Sequence, residues 1–521
     1  MTRPTSRTMS LDGHGLTLGE LARFERERPK VELADAALAR MRASVAAVER
    51  ALADGGAHYG INTGFGAFAK TRISNDQVVK LQYNLVRSHA CGVGAPLAPR
   101  LTRRLMLLKA NSLALGHSGV RPEVVQALLA LLNADVLPVI PEAGSVGASG
   151  DLAPLAHLAL ALIGEGEALL AKSPAGERGG LLEGPAICAA AGVAPVRLAA
   201  KEGLALLNGT QLSAALAIDG LLRADSLLAT ATVAGAFSVE ALAGSYAPFD
   251  ARIHEVRNLL GQQRVAAAFR RLLTESEIHQ GHAGCDRVQD PYALRCMPQV
   301  HGAVWDTLAH ASGVLGRECN SVSDNPLIFD DEVLSGGNFH AEPLAFVADF
   351  MAVAVAELGS IAERRIDLML RQINPALSMF LTKEPGLESG YMIAHVTAAA
   401  LASEDKVLAH PASVDSIPTS AGQEDHVSMA PIAGRKLLRI CDNVAHIFAI
   451  ELMAAAVALE QQRPKRTTPE LERVLATVRA VVPAHDGDRR LDRDIAALAA
   501  RIEAGELAAM LPGWASDSPT A

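Results

Sequence analysis

Ala, Leu and Val recur along this chain at intervals of three and four, the spacing at which side chains share one face of a helix. The segments LADAALARMRASVAAVERAL (33–52) and LTRRLMLLKANSLALG (101–116) carry this pattern. Glycine-rich interruptions, YGINTGFGAF (59–68) and CGVGAPLAP (91–99), read as loops between helical segments. Further along, AEPLAFVADFMAVAVAELGSIAERRIDLMLRQ (341–372) is apolar around much of its circumference, as a helix inside a bundle must be. The pattern predicts a mainly α protein in which a long central helix bundle follows a loop-rich, mostly helical N-terminal region.

Two breaks punctuate it. GEGEALLAKSPAGERGGLLEGPAICAAAGVAP (164–195) mixes Gly and Pro with short apolar pieces and predicts a hairpin or irregular excursion, so the division is expected near Lys201, giving regions 1–201 and 202–521. NSVSDNPLIFDDEVLSGGNFHAEP (320–343) places Asn-Pro and Gly-Gly around a short β-like run, a loop or hairpin before the long helix. No internal repeat of fixed period is present.

Composition sharpens this picture. Of 521 residues 50% are hydrophobic but only 4% aromatic, so the core must be built from small aliphatic side chains, which suits close helix packing. The net charge of -9, without a dense Lys/Arg run, offers nothing to a phosphate backbone and argues against nucleic acid or an anionic membrane as partner. MTRPTSRTMSLDGHG (1–15) has no apolar stretch after its basic residues, and HIFAIELMAAAVALE (446–460) carries Glu451 inside, so a soluble cytoplasmic protein is expected. Cys91, Cys188, Cys285, Cys296, Cys319 and Cys441 form no C-x-x-C pair or framework; reduced, buried, inert thiols and no metal site are expected.

The chemistry concentrates in GSVGASGDLAPLAH (144–157). Asp151 stands where a nucleophile elbow needs glycine, and no Gly-Lys-Ser/Thr follows, so neither that elbow nor a P-loop is present. Asp151 as an N-cap acceptor, then Pro154 in the first turn, starts an apolar helix and puts Ala148-Ser149-Gly150 at its positive end. In VQDPYALRC (288–296), Asp290 as N-cap and Pro291 at the first helical position predict a helix with Tyr292, Arg295 and Gln299 on one face.

In order along the chain stand HYGINTGFG (58–66), NLVRSHACG (84–92), the 144–157 stretch, EGLALLNGTQ (202–211), VQDPYALRC, NSVSDNPLIF (320–329), SGGNFH (335–340) and HPASVDSIPTSAGQEDHVSM (410–429). Together they resemble the histidine and aromatic amino acid ammonia-lyases over nearly the whole chain. That resemblance implies an aspartase/fumarase-like helical architecture. It also implies a homotetramer with sites shared between subunits, and a 4-methylidene-imidazol-5-one (MIO) electrophile made autocatalytically from Ala148, Ser149 and Gly150, with no external cofactor. The ring requires the Gly150 nitrogen to attack the Ala148 carbonyl, which a Cβ at 150 obstructs, and Ser149 to lose its hydroxyl.

By the same resemblance, Asn208 polarises the ring oxygen, Tyr59 handles the β-proton or the leaving amine, Arg295 clamps the substrate carboxylate, Gln289 and Tyr292 neighbour ring or substrate, Phe339 walls the site and Glu424 contacts a substrate imidazole or assists proton transfer. Taken singly each has an ordinary alternative: an Asn-Gly turn, a packing Tyr or Phe, an exposed helical Arg, a first-turn carboxylate. Ser88-His89 resembles the pair of the histidine-type enzymes, so the expected reaction is non-oxidative deamination of L-histidine to trans-urocanate and ammonia. Tyrosine or phenylalanine ammonia-lyase and an aminomutase are alternatives of the same chemistry; a non-enzymatic helical scaffold or a phosphate-binding protein is an alternative of another class. Two departures stand out, Gly422 where many relatives have Asn and Met297 where Gln often follows LRC, the first expected to loosen a helix start beside Glu424.

Overall fold

The computed structural model describes residues 8–54, 56–64, 66–68, 70–170, 179–281 and 288–520. Both N-terminal patterns form helices, α1 (Asp35–Ala53) and, after α2 (Val78–His89), α3 (Pro99–Ala114). Pro99 opens α3, where its missing N–H costs nothing, and from Leu101 onward every residue of α3 is buried. Burial of its charged side chains is matched by partners: Arg103 pairs with Asp135, and Arg104 with Asp219 at 2.8 Å.

Among the helices that follow are α4 (Leu152–Leu162), α5 (Glu202–Leu207), α6 (Gln211–Ala241), α7 (Met297–Glu318), α8 (Glu342–Leu370) and α9 (Ala430–Gln461). α6, α8 and α9 run for 31, 29 and 32 residues and supply the long helices that the sequence predicts. Glu451, the charge inside the apolar run of α9, is fully buried against Arg365, Nε to Oε1 2.5 Å, and accepts the Ser238 hydroxyl at 2.6 Å. α8 and α9 are long and apolar enough to cross a membrane, but 67% and 89% of their apolar windows are buried inside the protein, as in core helices.

Strands are short and local. Glu167–Leu170 pairs antiparallel with Leu181–Glu183 and with Val136–Pro138, and Leu327–Phe329 pairs with Glu332–Leu334, so both predicted hairpins form. Val93–Pro96 pairs with Pro141–Ala143, holding the chain that leads into Gly144.

Two compact units divide the chain, one of 1–219, 313–348 and 412–435, the other of 220–312, 349–411 and 436–521. The expected cut at Lys201 is a cut in sequence, whereas each of these units gathers separated segments. Cys188, Cys319 and Cys441 are free and buried and Cys296 is half-buried, but Cys91 is free and exposed, against the expectation of burial. Cys285 and residues 1–7 lie outside the described residues.

Candidate active site

The segment 144–151 is held from two sides. On one, Met429 N–H donates to the Val146 carbonyl at 2.8 Å, the Ser428 hydroxyl donates to the Gly147 carbonyl at 3.0 Å, and Ala148 packs with Val427 and Met429. On the other, Gly150 forms a parallel bridge with Gly209, and Asp151 N–H donates to the Gly209 carbonyl at 2.7 Å. Gly150 has φ +71°, and a Cβ there meets the Gly209 carbonyl oxygen at 2.3 Å. Both the conformation and the space admit only glycine.

Asp151 occupies the N-cap position of α4, but the expected cap bond is not made. Its buried carboxylate instead accepts Ser213 N–H at 2.8 Å and the hydroxyls of Ser213 and Ser145 at 2.9 and 3.0 Å. It therefore satisfies the first turn of α6 and ties that helix to the tripeptide loop. Burial pushes its carboxyl above the ordinary range, opposed by these hydrogen bonds.

Asn208 Nδ2 donates to the Ser149 carbonyl oxygen at 2.9 Å. Because the Gly209 carbonyl already takes Asp151 N–H, the parallel bridge turns the Gly209 N–H toward that same Ser149 oxygen. The Ser149 hydroxyl points the other way and donates to Glu424 Oε1 at 2.5 Å, while Oε2 accepts the Thr419 hydroxyl at 2.5 Å. Glu424 lies outside any helix, in a turn bridged by Thr419 and Glu424, well before α9 begins. Gly422 is in the left-handed region at φ +81° with open space around it, a conformation that Asn also tolerates; the departure loosens no helix start.

His89 ends α2. Its Nδ1 lies 2.8 Å from the Leu85 carbonyl, which can only accept, so Nδ1 carries the proton and a neutral ring keeps Nε2 as an acceptor. Burial lowers the His89 pKa, against the opposing effects of that carbonyl and of Glu424. Ser88 Oγ lies 3.0 Å from the same Nδ1.

These groups line one cavity of about 1270 Å³, above the roughly 300–1,000 Å³ usual for small-molecule sites. Ala148, Ser149, Asn208, His89, Glu424, Phe339 and Tyr59 all reach it. The Tyr59 hydroxyl accepts Gly66 N–H at 3.4 Å. Gly150 sits behind the lining, against Gly209.

Gln289, Tyr292 and Arg295 do not line this cavity; they belong to the second unit. Tyr292 is 70% exposed, and the Arg295 guanidinium lies over its ring at 4.8 Å. The helix expected there is also corrected. Pro291, not Asp290, is the N-cap of a single turn, Tyr292–Arg295, which ends at Cys296 before α7 begins at Met297. Asp290 turns aside to accept Ser245 N–H at 2.7 Å, and the break removes the continuous face proposed for Tyr292, Arg295 and Gln299. Met297 is fully buried, packed where a Cβ on Gly235 would meet its sulfur at 2.5 Å.

Sequence reasoning missed His340 and His426, which reach the cavity and whose rings stack at 5.5 Å. It also missed Lys109, fully buried behind Asn208. The available signal was a charge amid the apolar residues Leu105–Leu108 and Ala110 of a helical run; for the two histidines only their adjacency to Phe339 and Glu424 pointed inward.

The family model described as aromatic amino acid lyase matches residues 16–480. The chain belongs to the aromatic amino acid lyase family, and it is an enzyme of the ammonia-lyase type. Among its relatives, the histidine ammonia-lyase of Burkholderia vietnamiensis is 55% identical over 502 residues, covering 96% of this chain and 97% of that one. That of Burkholderia pseudomallei is 55% identical over 499 residues, covering 95% and 97%. Of solved structures, histidine ammonia-lyase from Trypanosoma cruzi aligns with TM-score 0.88 at 42% identity, over 98% of this chain and 96% of that one. Tyrosine aminomutase from Streptomyces globisporus aligns with TM-score 0.90 at 35% identity, over 98% and 99%.

Proposed function

We propose that this protein is a histidine ammonia-lyase, eliminating ammonia from L-histidine to give trans-urocanate through an MIO electrophile formed from Ala148, Ser149 and Gly150. The observation that carries the reading is the setting of Ser149. Its carbonyl oxygen, the future ring oxygen, already receives the Asn208 amide, while its hydroxyl faces the cavity on Glu424. The residues present fit the group: Gly150 leaves no room for a Cβ, and a glycine nitrogen is the least hindered attacker on the Ala148 carbonyl.

Once formed, the group supplies an electrophilic exocyclic carbon for the substrate amine. Asn208 Nδ2–H, the Gly209 N–H and the positive end of α4 stabilise negative charge on the Ser149 oxygen. His89 Nε2 and Glu424 offer polar partners to an imidazole ring, Phe339 packs against it, and Tyr59 moves a proton at the substrate β-carbon or amine. Gln289, Tyr292 and Arg295 reach the substrate from another copy of the chain in a homotetramer, Arg295 holding the carboxylate. Their absence from the cavity lining and the exposure of Tyr292 support that assignment. The cytoplasm is the proposed compartment.

The test is product analysis with L-histidine together with intact mass. Urocanate and ammonia in equal amounts, from a chain lighter than its sequence by two waters, are expected; a β-amino acid product instead makes the enzyme an aminomutase. Ser149→Ala, with no hydroxyl to eliminate, is expected to fold, to show the full sequence mass and to lose turnover; near-normal urocanate production by it overturns the mechanism.

A further inference from the structure

Behind Asn208, on the face away from the cavity, α3 delivers Lys109. Its side chain is fully buried, and its Nζ donates to the Asn208 main-chain carbonyl at 2.7 Å, with Gln211 Oε1 at 3.5 Å. The carbonyl that Lys109 grips and the Gly209 N–H belong to one peptide unit, and that N–H is turned toward the Ser149 oxygen. A cation on the oxygen end of a peptide pulls its electrons away from the nitrogen and strengthens the N–H as a donor at the other end. The same grip fixes the backbone from which the Asn208 side chain reaches Ser149.

We propose that Lys109 is a positioning residue for the reaction: its ammonium holds and polarises the Asn208–Gly209 peptide so that both donors meet the ring oxygen as charge develops there. Retaining a buried ammonium here is costly, since a hydrophobic side chain would fill the same space without desolvating a charge. Nearby Lys201 is neutralised directly by Asp324, at 2.7 Å, whereas the close contacts of Lys109 are to a peptide carbonyl and a neutral amide. Burial lowers its pKa to about 8, with Asp324 and Asp151 opposing and Lys201 adding to the shift, so the ammonium form persists at neutral pH. Lys109 does not line the cavity, and it acts through Asn208, which does, and Gly209.

The inference rests on the Ser149 oxygen being the ring oxygen, and the wild-type mass deficit and urocanate assay test that reading separately. Lys109→Met, Lys109→Gln and Lys109→Arg are compared with wild type by circular dichroism, intact mass, near-ultraviolet absorbance and steady-state kinetics. Lys109→Met is expected to fold and to keep the two-water deficit. Its ring π–π* band should move to shorter wavelength as the carbonyl is less polarised, and its kcat should fall by roughly 10–100-fold with KM for histidine changed less than about threefold, an indirect share of what a lost oxyanion donor costs. Lys109→Arg, which restores a cation, is expected to recover part of both the band position and kcat; Lys109→Gln, a donor without charge, should fall between. A kcat within twofold of wild type for Lys109→Met overturns the inference. So do an unshifted band, a loss confined to KM, or equal damage from Met and Arg. A variant that folds without the two-water deficit also overturns it and moves Lys109 to ring formation. Should Lys109→Met not fold, Lys109→Gln carries the test, and if neither folds Lys109 is a structural cation and the inference falls.

Discussion

At Gly150 the backbone conformation and the segment bridged to it at Gly209 impose the same requirement by separate routes. A positive φ costs an L-residue about 1–2 kcal/mol, and the bridge to Gly209 leaves a Cβ 2.3 Å from a carbonyl oxygen. Gly150→Ala must therefore push the two segments apart, which also moves Asn208 off the Ser149 oxygen. The expected result is a folded chain of full sequence mass with turnover reduced by roughly 10³-fold or more, read by intact mass and urocanate formation; a normal two-water deficit would show that the loop relaxes around the methyl group. Ser88 and His89 set a different constraint, on the ring that the pocket accepts. A site built to hydrogen-bond a polar ring can reject an analogue lacking those atoms by about 10⁴–10⁵-fold. Replacing the pair by Phe-Leu is expected to shift the ratio of kcat/KM for histidine and phenylalanine toward phenylalanine, with Glu424 keeping the absolute rate low; an unmoved ratio removes the pair from the selectivity element. His89 also predicts a pH response. Its folded pKa lies below the ordinary 6.5, so the stability tied to its neutral form is complete above 6.5 and is lost as pH falls through the window from 6.5 to the lowered value. With the Leu85 carbonyl, Ser88 and Glu424 facing it, the acceptor at Nε2 is expected to persist below pH 6.5. A corresponding acid limb in kcat/KM should be present in wild type and absent in His89→Gln.

At the scale of elements, the loop before α4 is organised less by its own helix than by the next long one. Asp151 carries the sequence signature of an N-cap, yet its carboxylate serves Ser213 in α6. Asp151→Ala leaves the Ser213 N–H buried without an acceptor, a loss of about 1–3 kcal/mol. It is expected to lower the thermal midpoint and to speed amide exchange at Ser213 while α4 itself persists; unchanged Ser213 exchange would return Asp151 to the role of a local cap. This case marks what was readable in the chain. Helix periodicity located α1, α3 and α8, because a repeating apolar face is a local property, and Gly/Pro punctuation around short apolar runs located the hairpins. Tyr59, His89, Asn208, Phe339 and Glu424, each named from a different motif along the chain, line the same cavity as Ser149. Partner choice across long separations left no local trace: Asp151 with Ser213, Lys109 with Asn208, and Ser428 with Gly147 are set by packing. The turn at Tyr292–Arg295 misled for a related reason, since Asp-Pro is a good helix start in isolation but the Asp290 carboxylate is drawn to Ser245.

At the scale of the whole molecule, the residues assigned to one reaction divide between a cavity in the first unit and a turn in the second that does not line it. If each site draws Arg295 from a different copy than Ser149, two inactive variants can complement one another. Ser149→Ala lacks the electrophile but carries an intact Arg295; Arg295→Ala forms the electrophile but cannot hold the substrate carboxylate with two parallel bonds. Co-expressed with distinguishable tags and purified as mixed assemblies, they are expected to regain up to about a quarter of wild-type turnover, the fraction of sites that random mixing supplies with one good residue from each parent. Each variant alone, and the two mixed after separate assembly, should stay near its own residual rate. Regained activity in co-assembled protein alone identifies a site shared between chains, and the double variant expressed with wild type gives the matching control. Failure to regain activity, with mixed assemblies demonstrated by both tags, places Ser149 and Arg295 in one chain's site and removes the shared-site reading.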